Sequence, residues 1–398
     1  MRILFISPYI PSLIRVRPYN IIKYLAQRGH QITLLALVPP GEETGSLSTL
    51  KTWCEQVETV PLPRWRTLWN GVGALPQLAT PLQAAYSRSP EMATLIRRTL
   101  AQQTFDAVHV EHMRGAELAR AVGNRPVIFD SVDSITLLFE KVLAAGPTWR
   151  SRLMATVELS RNRRYEGSLL QRFSRVLVTS PQDKATLTAL SAHPQADERI
   201  VVLPNGVDLD YFAPLNQPRL ADTLVFSGKM SYHANVAAAI DLITQVMPLI
   251  WQQKPEIKLT IVGKDPSPKL LEMAGDPRIS VTGTVPDMRP YIGQAALTIL
   301  PMRYGVGIQN KVLEAMAMAT PVITTSKTLG ALQVQANREL LVADTPQAMA
   351  ASALQLLADA ELRQRVGDAG RQYVETCHDW RKAVEKLEQL YTQVGRHP

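Results

Sequence analysis

The stretch that decides the fold reads GVGIQNKVLEAMAMATPVI over residues 305–323. Two glycines at its start let backbone N–H groups approach a ligand closely. The run that follows predicts a helix, whose N-terminus carries partial positive charge, and the last residues predict a turn into a short apolar strand. A carboxylate within that helix, Glu314, can accept hydrogen bonds from sugar hydroxyls. The stretch therefore predicts a site for a phosphate-bearing ligand.

Apolar strands alternate with helical stretches along both halves of the 398-residue chain. The strands predicted for the first half are 2–7, 31–38, 106–110, 127–129 and 175–179. The second half restarts the pattern, with predicted strands at 223–227, 258–262, 279–281, 297–300 and 321–324. Helices are predicted at 18–26, 236–250 and 380–394. The alternation predicts an α/β protein of two Rossmann-like domains, each a doubly wound parallel sheet, with a boundary close to Pro204.

Short motifs of the second half resemble, in their order and spacing, those of retaining GT-B glycosyltransferases of the family-four type. They are PNGVD at 204–208, SGKM at 227–230, IVG at 261–263, VTGTV at 281–285 and the stretch at 305–317. The segments 227–236 and 308–318 are most similar to bacterial exopolysaccharide sugar transferases associated with exosortase systems. The resemblance covers nearly the whole chain. It implies two domains facing across a cleft, with an acceptor domain at 1–203, a donor domain at 204–379, and a C-terminal helix at about 380–398 that crosses back to the first domain.

The same resemblance implies a nucleotide-sugar donor site in the second domain. Its expected residues are Gly228, Gly283, Val285, Gly305, Gly307, Ile308 and Glu314. Glu314 matches the second glutamate of the family's E-x7-E motif, which holds the nucleotide ribose. The first glutamate of that motif lies near the transferred sugar, and its position here is Val306. This departure leaves open how the donor sugar is recognised and whether the chain is catalytically active, although backbone amides can still hold a diphosphate.

Two lysines are predicted to face the donor diphosphate. Lys229 follows Gly228 at a predicted strand end, where relatives commonly place a basic residue. The second lysine of the family pattern is missing, because the corresponding positions are Ala234 and Asn235, and Lys311 is the candidate to replace it. Two ammonium groups would stabilise the nucleoside diphosphate as it leaves. An ordinary surface lysine is the alternative interpretation of Lys311.

Polar residues near predicted strand ends of the first domain form the expected acceptor side. His112 follows the strand at 106–110, and a doubly wound fold places functional groups at the carboxyl ends of its strands. The resemblance implies a histidine or aspartate here that approaches the donor sugar, and a partly exposed loop histidine is the alternative. The further acceptor-side candidates are Arg15, Arg17, Asp130 and Asp133. The two arginines suit phosphate oxygens because a guanidinium forms a fork that matches them.

The net charge of +8 lies in the first half of the chain. Residues 1–200 contain 24 Lys and Arg against 16 Asp and Glu, whereas the remainder is balanced. No nucleic-acid-binding module is recognisable, so an anionic membrane surface or a phosphate-bearing acceptor explains the charge with fewer assumptions. The segments RWRTLW at 64–69 and RSRLM at 150–154 mix basic with large apolar residues, as at a lipid headgroup layer. Packed helices with solvated arginines are the alternative.

Two cysteines, Cys54 and Cys377, show no metal-ligand spacing, and the sequence contains no recognisable nucleophile–base arrangement. We therefore expect no metal, and no cofactor besides the nucleotide diphosphate sugar that serves as donor substrate. No secretory signal or membrane-spanning run is evident. We expect a cytoplasmic protein that is peripheral on the inner face of the cell membrane.

The sequence thus predicts a retaining, metal-independent hexosyltransferase of polysaccharide biosynthesis. It would move a sugar from a nucleotide diphosphate sugar to a hydroxyl of a glycan or lipid-linked acceptor. Two alternatives stay open: a transferase that acts on a soluble small molecule, and a catalytically inactive GT-B protein that binds a nucleotide sugar.

Overall fold

The structure is a computed structural model that describes residues 1–42, 44–144, 149–302 and 310–395. The chain divides into two compact units. The first contains Met1–Pro204 together with the end of the chain from Trp380, and the second contains Asn205–Asp379.

The first unit is built on a seven-stranded parallel sheet. Its strands are β1 (Arg2–Ser7), β2 (Gln31–Val38), β3 (Gln56–Pro61), β4 (Ala107–Glu111), β5 (Val127–Val132), β6 (Arg175–Val178) and β7 (Ile200–Val202). The helices between them are α1 (Val16–Gln27), α2 (Leu47–Trp53), α3 (Arg64–Ala74), α4 (Leu82–Tyr86), α5 (Pro90–Gln102), α6 (His112–Gly115), α7 (Ile135–Ala144), α8 (Trp149–Gly167), α9 (Leu169–Arg172), α10 (Pro181–Leu190) and α11 (Ala196–Arg199). The strand order is β3-β2-β1-β4-β5-β6-β7, so the direction of winding reverses between β1 and β4, as in a doubly wound sheet.

Both faces of this sheet are buried, and β1 shows why. Successive side chains of a strand point to opposite faces. Ile3 and Phe5 belong to one hydrophobic core, and Leu4 and Ile6 belong to the other. A strand of a parallel sheet that is covered on both faces therefore reads as a continuous apolar run, which is the pattern of RILFIS at 2–7.

The second unit contains a six-stranded parallel sheet. Its strands are β8 (Leu220–Ser227), β9 (Lys258–Val262), β10 (Ile279–Val281), β11 (Ala295–Leu300), β12 (Val322–Thr324) and β13 (Leu341–Val342). Its helices are α12 (His233–Asp241), α13 (Met247–Trp251), α14 (Pro268–Met273), α15 (Arg289–Gln294), α16 (Asn310–Ala317), α17 (Pro346–Ala358) and α18 (Ala360–Cys377). The strand order is β10-β9-β8-β11-β12-β13, which reverses between β8 and β11.

One helix of the second unit is long and apolar enough to cross a membrane by length and composition alone. It runs from His233 to Trp251, because α12 and α13 are joined through a π-helical segment, Leu242–Val246. Half of this helix is buried inside the unit. Leu242, Val246 and Met247 lie in the hydrophobic core, so the helix occupies the position of a core helix.

The last helix, α19 (Trp380–Gly395), belongs to the first unit. Trp380, Val384 and Leu387 lie in the same core as Ile3 and Phe5. The crossing of the C-terminal helix back to the first Rossmann-like unit is therefore confirmed.

The predicted α/β architecture with two parallel-sheet, Rossmann-like domains is confirmed. The strands at 2–7, 31–38, 258–262 and 279–281 have the predicted bounds. Strands β3, β7 and β13 were not predicted from the sequence. The last two have only three and two residues, too few for a periodic signal, and β3 lies at the sheet edge with a partly exposed polar pattern.

Candidate functional site

In the second unit, two glycines bring neighbouring strand ends into close contact. Gly228 follows β8 and Gly263 follows β9, and both have φ of +152°, a region that disfavours other residues. A Cβ atom on Gly263 would lie 1.8 Å from the carbonyl oxygen of Gly228, closer than any real contact. Glycine at 263 is therefore required, and this part of the sheet edge presents backbone rather than side chains.

Lys311 reaches the edge beside Gly228 from the start of α16. Its side chain is buried, with 9% exposed, and its Nζ atom lies 5.2 Å from the ring centroid of Phe226 and 3.6 Å from the sulfur of Met302. Nζ also donates a hydrogen bond to the side-chain oxygen of Asn235. Burial lowers the pKa of Lys311 to about 8. Among the residues that the structure describes, this buried ammonium has a neutral oxygen partner and no carboxylate in an ion pair, so an anion would be stabilised beside it.

Asn235 was not predicted as a site residue. Its side-chain nitrogen donates to the carbonyl oxygen of Lys229 at 2.9 Å, while its oxygen accepts from Lys311. A Cβ atom at Gly228 would lie 2.8 Å from that same nitrogen. Asn235 thus fixes the loop after β8 and orients Lys311.

Glu314 lies one turn after Lys311 on α16 and is half-buried. Burial raises its pKa to about 7, and the charge of Lys311 opposes that rise. A carboxyl group with this pKa is partly protonated near neutral pH, so it can either donate or accept a hydrogen bond.

The other predicted donor residues have different surroundings. Lys229 is exposed at the end of β8. Gly283 follows β10 with φ of +68°, where a Cβ would meet open space, so glycine is favoured by backbone conformation alone. Val285 packs against the small apolar cluster of Val225 and Val262. The side chain of Val285 therefore serves in packing, and its backbone N–H and C=O are its candidate groups for contact with a ligand.

Four positions of the predicted donor loop, Gly305, Val306, Gly307 and Ile308, lie outside the described residues. Within the stretch 305–317, Lys311 and Glu314 on α16 are therefore the candidate site residues that the structure describes.

In the first unit, two neighbouring strands end in residues with positive φ. His112 follows β4 with φ of 63°, and Val132 ends β5 with φ of 69°. Neither residue is glycine, and such conformations cost about 1–3 kcal/mol each and concentrate at functional sites. The carboxyl ends of β4 and β5 are the edge at which a doubly wound sheet binds ligands.

His112 is a neutral imidazole at this edge. Burial, helped by Arg114 and Arg15, lowers the pKa of His112 to about 3. Its Nδ1 atom accepts a hydrogen bond from the backbone N–H of Arg114 at 3.2 Å, which assigns the proton to Nε2. The ring lies edge-on to Tyr9, with 5.9 Å between centroids, and Arg15 covers that tyrosine at 4.5 Å. His112 can therefore donate one hydrogen bond from Nε2.

Arg17 and Asp130 form a buried ion pair. Arg17 Nε lies 2.8 Å from Asp130 Oδ2, and the same guanidinium donates to the carbonyl oxygen of Leu203 at 2.8 Å. Arg17 is 4% exposed and Asp130 is fully buried. These contacts connect α1, β5 and the segment after β7, so the geometry favours a structural role for the pair over direct contact with an acceptor.

A buried polar network that the sequence analysis did not single out surrounds this pair. His109 and Glu111 are buried residues two positions apart on the same face of β4, and the Tyr9 hydroxyl donates to Glu111 at 3.2 Å. His109 Nδ1 and the Tyr391 hydroxyl lie 2.9 Å apart. Burial and the nearby Asp130 raise the pKa of Glu111. The available signal was the pair of polar residues at alternate positions of an apolar strand.

By spacing alone, His109, Glu111 and Asp130 could hold a cation, because one ligand atom from each lies within 4.8 Å of the others. The guanidinium of Arg17 already neutralises Asp130 at 2.8 Å. A metal ion would therefore sit beside a fixed positive charge, and the residues present do not fit a metal centre.

Asp133, the remaining acceptor-side candidate, lies after β5. Its Oδ1 accepts from the hydroxyl of Thr179 at 2.9 Å. Burial and the neighbouring Asp183 raise the pKa of Asp133. Unlike Asp130 it is only half-buried.

Two Rossmann-like units, each with a parallel sheet whose winding reverses once, and a C-terminal helix that belongs to the first unit have the architecture of GT-B proteins. Residues 14–206 match the family described as "Glycosyl transferase 4-like domain", and residues 221–359 match "Glycosyl transferases group 1". Together the two matches span most of the chain. The chain therefore belongs to the GT-B glycosyltransferases.

A curated relative and several solved structures are similar over the full length. The phosphatidyl-myo-inositol mannosyltransferase of Mycolicibacterium smegmatis is 22% identical over 418 aligned positions, covering 99% of this chain and 94% of that protein. A sucrose-phosphate synthase from Thermosynechococcus elongatus has a TM-score of 0.68 at 18% identity, with 100% of both chains covered. Anabaena HepE in complex with UDP and glucose has a TM-score of 0.69 at 14% identity, covering 99% of this chain and 100% of the other.

Proposed function

We propose that this glycosyltransferase moves a sugar from a nucleotide diphosphate sugar to a hydroxyl of a glycan or lipid-linked acceptor, with retention at the anomeric carbon and without a metal. The observation that carries the proposal is the buried ammonium of Lys311 beside Gly228, where the sheet edge presents backbone. Burial lowers the pKa of Lys311 to about 8, and no carboxylate of the described residues forms an ion pair with its ammonium. A nucleoside diphosphate would provide a counter-ion.

In this proposal Lys311 and the exposed Lys229 neutralise the diphosphate, and Glu314 accepts hydrogen bonds from the ribose hydroxyls. The bond that breaks joins the anomeric carbon to a phosphate oxygen, so negative charge grows on the leaving nucleoside diphosphate. A preorganised ammonium stabilises that charge without solvent reorganisation. Lysine side chains and backbone amides supply the role that a divalent cation has in other transferases.

On the acceptor-binding unit, the proposal gives His112 the role of a neutral hydrogen-bond donor. Because the pKa of His112 is about 3, its ring carries no charge at physiological pH, and Nε2–H is available to a sugar hydroxyl. Arg15 and the half-buried Asp133 are the groups proposed to orient the acceptor.

The relatives support the choice of substrates without defining them. The Anabaena protein was solved with UDP and with UDP-glucose, and the mycobacterial relative is named for a phosphatidyl-myo-inositol acceptor. A nucleotide-sugar donor and a lipid-linked acceptor follow by analogy. We further propose that the protein acts in polysaccharide biosynthesis at the cytoplasmic face of an anionic membrane.

The first experiment is a calorimetric titration with UDP, GDP and ADP, followed by the corresponding nucleotide sugars. We expect one nucleoside diphosphate to bind in the presence of a chelator, and its sugar conjugate to be consumed when an acceptor is supplied. Nuclear magnetic resonance of the product should show the anomeric configuration of the donor. Failure of all three diphosphates to bind would overturn the donor site.

Two rival functions predict different outcomes of this experiment. Binding without turnover, with every lipid-linked or glycan acceptor tested, would favour the catalytically inactive protein that Val306 keeps open. Turnover with a soluble small molecule, undiminished when vesicles are omitted, would favour the soluble-acceptor enzyme.

A further inference from the structure

Helix α3 of the first unit turns its large apolar residues toward solvent. Trp65 is 56% exposed, Leu68 64%, Trp69 68%, Val72 57% and Leu75 57%. At 100° per residue these positions fall within an arc of about 120°. We refer to these five side chains as the α3 outward face.

The opposite side of α3 makes the contact with the protein. Thr67 and Ala74 are its buried residues, and the helix packs against α4. A surface helix of a globular protein normally does the reverse, with apolar residues inward and polar residues outward. A contiguous set of exposed indole, leucine and valine side chains of this kind indicates a binding surface.

The surroundings of the face are basic. The sequence contains no acidic residue between Glu58 and Glu91, although it contains Arg64, Arg66 and Arg88, of which Arg88 pairs with Glu117 at 2.9 Å. The guanidinium of Arg66 lies 4.7 Å from the ring of Trp65 and pairs with Glu91 at 2.6 Å, while Arg64 is exposed.

The basic rim continues on α8, beyond the end of α3. Arg164 is exposed, and its Nη1 atom lies 3.5 Å from the carbonyl oxygen of Leu78, which is itself 67% exposed. Cationic groups therefore border the apolar surface at both ends of α3.

We propose that the α3 outward face docks on an anionic phospholipid bilayer, with α3 lying in the plane of the headgroups. The inference rests on the proposed lipid-linked acceptor, and it names the surface that brings the enzyme to it. Tryptophan side chains are favoured at the interface between headgroups and acyl chains, and arginines pair with anionic headgroups. A second copy of the chain fits less well, because the same arginine rims would face each other.

The test is co-sedimentation with vesicles of phosphatidylglycerol mixed with phosphatidylcholine, compared with phosphatidylcholine alone. The variant Trp65→Ser/Leu68→Ser/Trp69→Ser should lower the partition coefficient at least about tenfold, since it removes the apolar area of three side chains that would leave water on binding. Leu271→Ser is the matched control, because Leu271 is 52% exposed on the second unit, and it should bind vesicles as the unmodified protein does. Trp65→Phe/Trp69→Phe keeps apolar bulk and should retain most binding.

Three results would overturn the docking surface: no sedimentation of the unmodified protein with anionic vesicles, equal sedimentation of the triple-serine variant, or a dimer in solution that the triple-serine variant converts to a monomer. Circular dichroism and an unchanged nucleotide affinity establish that the variant is folded. If the unmodified protein binds vesicles but neither binds a nucleotide nor transfers a sugar, the proposed reaction is overturned and the docking surface is supported.

Discussion

The ammonium group of Lys311 donates a hydrogen bond to the side-chain oxygen of Asn235, a residue 76 positions earlier in the chain. Asn235 in turn donates to the carbonyl oxygen of Lys229. In the proposed donor site this contact offers a substitute for the second lysine that is absent after β8, because the side chain of Asn235 holds a lysine that comes from α16.

Lys311→Met removes the charge and keeps much of the side-chain volume. We expect it to weaken nucleoside diphosphate binding by about 1–3 kcal/mol, the cost of losing a charged hydrogen-bond partner. Calorimetric titration measures the change. Lys269→Met, at an exposed position of the same unit, should leave the affinity unchanged. Equal affinities for both variants would remove Lys311 from the site.

Nucleotide affinity should fall as pH rises above about 8. The pKa of Lys311 is lowered to about 8 in the free protein, and a bound diphosphate favours the protonated form and raises that pKa. Binding above pH 8 is therefore accompanied by the uptake of a proton. In total, the affinity should fall by about tenfold for each unit by which the pKa of Lys311 differs between the free and the nucleotide-bound protein. Titrations in buffers of different ionisation enthalpy measure the proton uptake. Lys311→Arg should abolish the dependence, because arginine stays charged.

Glu314→Gln should separate stability from binding. The pKa of Glu314 is raised to about 7, so the folded state holds a proton that the unfolded state releases near pH 4.5. Its ionisation therefore destabilises the fold as pH rises from about 4.5 through 7. We expect the variant to gain about 3 kcal/mol of unfolding free energy at pH 8 and little at pH 4, measured by urea denaturation. Nucleotide affinity should fall in the same protein, and a gain independent of pH would contradict the assignment.

Tyr391→Phe should loosen α19 from the sheet of the first unit. The Tyr391 hydroxyl and His109 Nδ1 are 2.9 Å apart, and both residues are buried. Losing the bond leaves a buried imidazole nitrogen unpaired, at a cost of about 1–3 kcal/mol in the free energy of unfolding. Tyr86→Phe is the control, because Tyr86 is 42% exposed, and it should change the free energy by less than about 0.5 kcal/mol.

The sequence was sufficient for the architecture because buried parallel strands leave continuous apolar runs, as in β1 and β2. Lys311 could be selected from its motif, but its partner Asn235 could not, since nothing local connects two residues on different helices. Arg17 was predicted from its charge to bind an acceptor, and only three-dimensional packing pairs it with Asp130.

The α3 outward face shows a different limit of prediction. The mixture of arginine and tryptophan at 64–69 was recognisable in the sequence. Which side of the helix faces solvent depends on the neighbour that covers Thr67 and Ala74, and that neighbour is a tertiary contact.

Helix α19 affects the order in which the two units can fold during translation. Residues 380–395 fill the core of the unit whose first strand is made from residues 2–7. A ribosome completes the whole second unit before it produces Trp380, so during translation the first unit exposes the apolar surface that Trp380 and Leu387 later cover. Nascent chains halted before residue 380 should therefore remain chaperone clients, whereas the second unit, continuous in sequence, can close on its own.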